Sequence, residues 1–148
     1  MEKYKQIFIH DPENGIFGDC YRTCIACLLN VTPDVVPHNH SWGKPGEQIE
    51  LVNKFLIERY DLKMIGMPII AIDGNLESIF NFVHYTLKDI RYILTGESKN
   101  GVNHSVICLN GEIIHDPSHN NSGIVGPCND GYFWIEFLLP YSIHGVQL

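Results

Sequence analysis

Apolar positions recur at helical spacing early in the chain and give way to strand-like runs later. In YRTCIACLLN, directly after Cys20, the helical period runs through Ile25, Leu28 and Leu29. Asp19 stands where an N-cap is expected, which places Cys20 in the first turn. The helix should stop near Asn30, because Thr32 precedes Pro33 and a residue before proline avoids the helical region. Val36 to Gly46, with Pro37 and Pro45, reads as a loop carrying His38, His40 and Trp42. A second helix, Glu47 to Arg59, lines up Ile49, Val52, Phe55 and Leu56 on one stripe. Lys63 to Ile72 predicts a strand or edge segment, and Leu76 to Thr86 a short helix after Asp73-Gly74. Arg91 to Thr95, His104 to Leu109, Glu112 to His115 and Tyr132 to Leu139 are the remaining strand candidates. Asn110-Gly111 between two of them is a strong hairpin signal. Helices first and antiparallel strands later make the class α+β. No repeat, low-complexity tract or Ser/Pro linker interrupts the chain, so a single domain over residues 1–148 is expected.

Composition changes the functional picture more than the structural one. Hydrophobic residues make up 45% of the chain, enough for a core without staples. The net charge is −7 and the 10 Lys and Arg do not cluster, so a nucleic-acid partner is not expected. The segment MEKYKQIFIHDPENG lacks the apolar run of a signal peptide, and no later stretch is long enough for a bilayer, so no membrane role is expected. Five cysteines form an odd set, and Cys20, Cys24 and Cys27 sit too close on one helix to bridge one another. Free thiols fit a reducing compartment. A bacterial cytoplasm, or that of a host cell if the protein is phage-encoded, is the expected location.

The candidate chemistry starts at Cys20. A thiol attacks as thiolate, and the first turn of a helix favours that form through its dipole and free N–H groups. Gly15 and Gly18 leave room for backbone close to a substrate. Cys24 and Cys27 follow at i+4 and i+7 and are assigned to the core. His104 opens a strand whose hairpin partner ends at His115-Asp116-Pro117. A base on one strand and a carboxylate on its neighbour can hold an imidazole in one tautomer. Cys20, His104 and Asp116 are therefore read as a triad: nucleophile, base and orienting residue.

Gly18-Asp19-Cys20 opening a helix, His104 opening a strand and Asp116-Pro117 closing the next resemble the papain-like superfamily. Within it, the pattern is similar to small bacterial and phage peptidases related to the bacteriocin-processing domains of export transporters. The resemblance implies a papain-like fold, its N-terminal helix carrying the nucleophile on an antiparallel sheet. It also implies a Cys-His-Asp mechanism on a peptide or protein substrate. In that family a Gln or Asn about six residues before the cysteine completes the oxyanion hole. Asn14 holds that spacing here, with His10 as the rival.

A strict two-residue turn at Asn110-Gly111 pairs residue 105 with 116 and puts Asp116 on the opposite sheet face from His104. The triad therefore requires a bulge or bend near the hairpin, such as a three-residue loop with a bulge that pairs 106 with 116. In the strict register His115 shares the face of His104, which favours a metal reading. Zinc ligation by His115 and His119, or by His38 and His40, is the alternative to a cofactor-free thiol–imidazole pair. A catalytically silent binding module is another. Asp19, His38 and Trp42 are the candidate cleft residues, with His40 beside them, although a solvated loop accounts for the histidines equally well. Peptide hydrolysis, isopeptide cleavage, side-chain deamidation and acyl transfer all remain open, since each passes through a thioester.

Overall fold

The structure, a computed structural model, describes residues 1–40 and 46–142. Trp42, one of the expected cleft residues, lies outside the described residues. The first helix, α1, spans Cys20–Leu29 and ends where Asn30 adopts the left-handed conformation (φ 56°). The second, α2 (Glu47–Tyr60), ends the same way at Asp61 (φ 54°) and feeds directly into β1 (Leu62–Ile69). The expected strand continued to Ile72, but β5 begins at Phe133, opposite Ile69. Residues 70–72 therefore have no strand partner among the described residues, and Ile70 and Ile72 stand exposed. Helix α3 (Leu76–Thr86) starts at Asn75, whose side chain accepts a hydrogen bond from the Glu77 amide. Strands β2 (Tyr92–Glu97), β3 (Asn103–Leu109), β4 (Glu112–His115) and β5 (Phe133–Pro140) complete the set.

The five strands form one open antiparallel sheet in the order β1-β5-β2-β3-β4. Its two faces carry separate cores, because alternate side chains of a strand point opposite ways. Ile93 of β2 and Ile107 of β3 join Met64 under Cys24, Ile25 and Cys27 of α1 and Val52 and Leu56 of α2. Leu94 and Val106, one residue further along or back, join Tyr92, Phe133 and Ile135 under Ile79 and Val83 of α3. Full burial of each such Ile, Leu or Val contributes about 1.5–3 kcal/mol relative to exposure. The chain is thus α+β, with helices on both sides of the sheet. None of its described helices is long and apolar enough to cross a membrane.

The hairpin between β3 and β4 settles the register. Asn110 (φ 50°) and Gly111 (φ 79°) both lie in the left-handed region, as a two-residue type I′ turn requires. Leu109 pairs with Glu112 and Cys108 with Ile113, in strict register. Ile114 is then an extra residue, and pairing resumes at Ile107 with His115. The required shift arises from a bulge within the strands rather than from a longer loop. It brings Asp116 level with Val106, on the side of His104, and sends His115 the other way, where its Nε2 donates to the Tyr4 carbonyl at 2.6 Å.

Gly96 pairs with His104 in the neighbouring strand. A Cβ at this position would fall 2.5 Å from the Gly126 carbonyl oxygen and 2.7 Å from Ile124 Cγ2. Residues 124–126 lie so close because Glu97 exchanges backbone hydrogen bonds with them. Gly96→Ala should therefore cost about 1–3 kcal/mol of stability, in the range of overpacked cores. A denaturant midpoint unchanged from the parent protein would contradict this packing.

Candidate active site

The start of α1, where Cys20 stands, is built by the chain folding back on itself. Residues 8–10 lie against 17–19: Phe8 N–H donates to Asp19 Oδ1 at 2.8 Å, and Gly18 N–H donates to His10 Nδ1 at 3.3 Å. Gly18 is needed for this approach, since a Cβ there would stand 3.1 Å from His10 Cβ. Between the two segments, Asp11 and Ile16 bond each other's backbones at 2.8 and 2.9 Å and close off a small loop with a 3-10 turn, Pro12–Asn14. Asp19 holds the N-cap position of α1, but its side chain does not cap the helix. Its Oδ2 instead accepts from Arg22 Nε at 2.9 Å, and the Asp19 residue is only 1% exposed. A carboxylate so buried needs a paired cation, and Arg22 supplies it one turn along. Asp19 is therefore a foundation of the helix start and not a cleft residue.

Cys20 opens α1 and, alone among the five cysteines, is not buried. Burial raises the thiols of Cys24, Cys27 and Cys108, and pushes that of Cys128 up to about 12. Cys20 and His104 border the same cleft, and the Cys20 thiol is among the groups that raise the His104 ring. His104 Nε2 is taken by Asp116 Oδ1 at 2.7 Å, which leaves Nδ1 as the ring nitrogen toward Cys20. Burial pulls the imidazole down, yet the hydrogen bonds to Asp116 and Cys20 outweigh it and raise it to about 9. Asp116 shows the opposite balance. Burial works against its charge, but bonds from His104, from the Ser118 hydroxyl and amide and from the Gly123 amide hold it well below the usual carboxylate range. The charges of the His104 ring and the Asp116 carboxylate are thus matched to each other, and Cys20 borders the same cleft as the ring.

This cleft, of about 730 Å³, is bordered by Cys20 and His104 and, among others, Gln6, His10 and Tyr21. Besides Asp19, two expected site residues lie elsewhere. Asn14 caps its own small loop, donating to Asp11 Oδ2 at 2.7 Å on the exposed surface, so it does not fill the oxyanion position. The loop closed by Asp11 and Ile16 displaces it and brings an earlier segment to the cleft. Gln6 lines the cleft instead, with Nε2 donating one hydrogen to the Phe8 carbonyl at 2.7 Å. No sequence spacing pointed to it; a hairpin reading of Asp11 to Ile16 is the signal that could have. His38 bonds the Phe17 carbonyl at 3.2 Å through Nε2 and stacks on Phe8, so it braces the helix start rather than the cleft. His10, the rival for the oxyanion position, does line the cleft.

The N-terminal segment also braces Asp116. Lys5 Nζ donates to the carbonyls of Asp116 and Ser118, each at 2.8 Å, and to Asn121 Oδ1 at 3.0 Å. Gln6 N–H donates to the Pro117 carbonyl at 2.9 Å. His115 and His119 each spend Nε2 on this same segment, at the Tyr4 and Gln6 carbonyls. Among the described residues no group of three His, Cys, Asp or Glu side chains could hold a metal ion.

Two outcomes follow from this geometry. The His104 ring should titrate by NMR with a midpoint near 9, and Asp116→Asn should lower that midpoint by removing the acceptor. Because the folded value exceeds the unfolded value of about 6.5, its contribution to stability is full below about pH 6.5 and is lost as pH rises through 9. Asp116 contributes in the reverse sense, fully above about pH 4 and progressively less as pH falls. Lys5→Met, which removes three charge-assisted bonds but keeps the chain's bulk, should lower stability by about 1–3 kcal/mol and shift the His104 titration. A Lys5→Met protein with the parent His104 midpoint would show that the clamp does not position the carboxylate.

Comparison with family models, curated proteins and solved structures returned no match to this chain.

Proposed function

We propose that the protein is a papain-like cysteine hydrolase that cleaves a peptide, isopeptide or side-chain amide bond. The reading is carried by one observation: a 2.7 Å bond from His104 Nε2 to Asp116, with the same ring bordering one cleft with Cys20. Cys20 thiolate attacks the amide carbon and forms the C–S bond. The Cys20 amide, first in α1 and without an intrahelical acceptor, and the second hydrogen of Gln6 Nε2 are the donors for the oxyanion. His104 gives its Nδ1 proton to the leaving nitrogen as the C–N bond breaks, leaving a thioester. Neutral His104 then takes a proton from water while the water oxygen attacks, and C–S cleavage returns thiolate, imidazolium and the acid product. Asp116 holds the imidazole in the tautomer and orientation both steps need. Its substrate is a peptide or protein, and no metal or organic cofactor enters any step. A cytoplasmic setting, bacterial or in a phage-infected host, suits five free thiols of which one is a working nucleophile.

Limited iodoacetamide at neutral pH, read by peptide mapping, should alkylate Cys20 ahead of the other four thiols. Cys20→Ala should remove turnover of a fluorogenic peptide-amide library by about 10,000-fold or more while leaving the melting temperature near the parent value. Asp116→Asn should lower kcat by a smaller factor. Preferential alkylation of Cys108 or Cys128, or full turnover by Cys20→Ala, sinks the mechanism. Cys20 labelling without turnover of any amide would favour the silent binding module.

A further inference from the structure

The lining of the cleft carries information beyond the triad. The chain holds 17 Asp and Glu and 10 Lys and Arg, yet none of them is among the described residues that border the cleft. Much of the lining is built from side-chain amides and hydroxyls, including Ser98, Asn100, Asn103, Asn120, Ser122 and Asn129. The lining also includes Ile9, Phe17 and Tyr21. Tyr21 is itself engaged, its hydroxyl donating to the buried Glu136 carboxylate at 2.5 Å.

Across the cleft wall Asn100 and Asn120 already pair amide to amide, with Nδ2 to Oδ1 distances of 3.0 and 3.5 Å. Each amide group offers both a donor and an acceptor, so an amide is matched best by another amide. Asn103, next to His104 in sequence, accepts the Asn129 N–H on Oδ1 at 3.2 Å, while its Nδ2 has no hydrogen-bond partner among the described residues. A carboxylate or ammonium group entering this space would give up part of its hydration to a lining of amides and hydroxyls, where the charge of the His104 ring is already matched by Asp116. A neutral amide loses less and regains its hydrogen bonds on both sides.

Resting on the hydrolase reading for the site's location, we propose that the cleft takes an uncharged, amide-bearing chain and rejects acidic and basic ones. Its substrate is a neutral polar peptide segment with Gln, Asn or Ser flanking the reacting carbonyl, bound against the amide wall. Asn103 is the residue that sets this preference.

The test uses full-length Cys20→Ala protein, with Cys20→Ser as a second inactive form, and fluorescent peptide pools of equal length. The pools differ only in their central residues: Gln/Asn/Ser, Glu/Asp or Lys/Arg. Anisotropy is read at salt high enough to bring the Debye length below about 8 Å, so that the net negative charge of the protein does not draw the basic pool. The neutral pool should bind at least about tenfold more tightly than either charged pool, a margin of about 1.4 kcal/mol. Asn103→Asp should erase that margin in favour of the Lys/Arg pool. Equal or tighter binding of a charged pool by the parent Cys20→Ala protein overturns the inference, and so does binding of none. Selective binding of the neutral pool without its cleavage by the unmodified protein upholds the specificity and removes the hydrolase reading instead.

Discussion

The carboxylate of Asp116 is the point on which the site's geometry rests. It sits almost out of solvent and accepts four hydrogen bonds: from the His104 ring, the Ser118 amide and hydroxyl, and the Gly123 amide. Burial without those donors would raise its pKa. With them it stays charged, and its charge is what keeps the neighbouring imidazole protonated against the pull of its own burial. The loop from 116 to 123 is shaped by the same need, since two of the donors are backbone amides that must point inward. Ser118 Oγ links the carboxylate onward, accepting from the Ser122 amide at 2.9 Å.

The first ten residues bear much of the load. Lys5 satisfies backbone carbonyls that the inward-turned amides leave facing outward, and His115 and His119 tie the same loop to the Tyr4 and Gln6 carbonyls. Phe8 in turn bonds Asp19 and lies under the Arg22 guanidinium, 5.5 Å from ring centre. One short segment therefore touches the base of α1 and the loop that carries Asp116. Relative placement of Cys20 and Asp116 depends on it, although neither residue is near it in sequence.

What could be read from the sequence and what could not divide along a physical line. Helices α1, α2 and α3 and all five strands were legible to within a few residues, because apolar periodicity reports which side faces a core. Cys24 and Cys27 were legible as core for the same reason. The need for a bulge was legible too, since it follows from counting residues around Asn110-Gly111, but its place at Ile114 was not. Asn14, Asp19 and His38 misled because their roles depend on how residues 6–19 fold back, which no local period encodes. Asn14 had the expected spacing, yet a small closed loop moved it to the surface and left Gln6 at the cleft. Asp19 had the composition of a cap, yet a cation one turn later claimed its side chain.

The extra residue at Ile114 gives the hairpin a parity. His104 and Asp116 are 12 positions apart, and they meet only because one of those positions does not advance the pairing. Lengthening the hairpin by two residues, one on each arm, preserves the match, whereas a single inserted or deleted residue in either arm inverts it. The tip of this hairpin is therefore free to vary in size only in even steps, and an odd change would leave a folded sheet whose histidine and aspartate face away from each other.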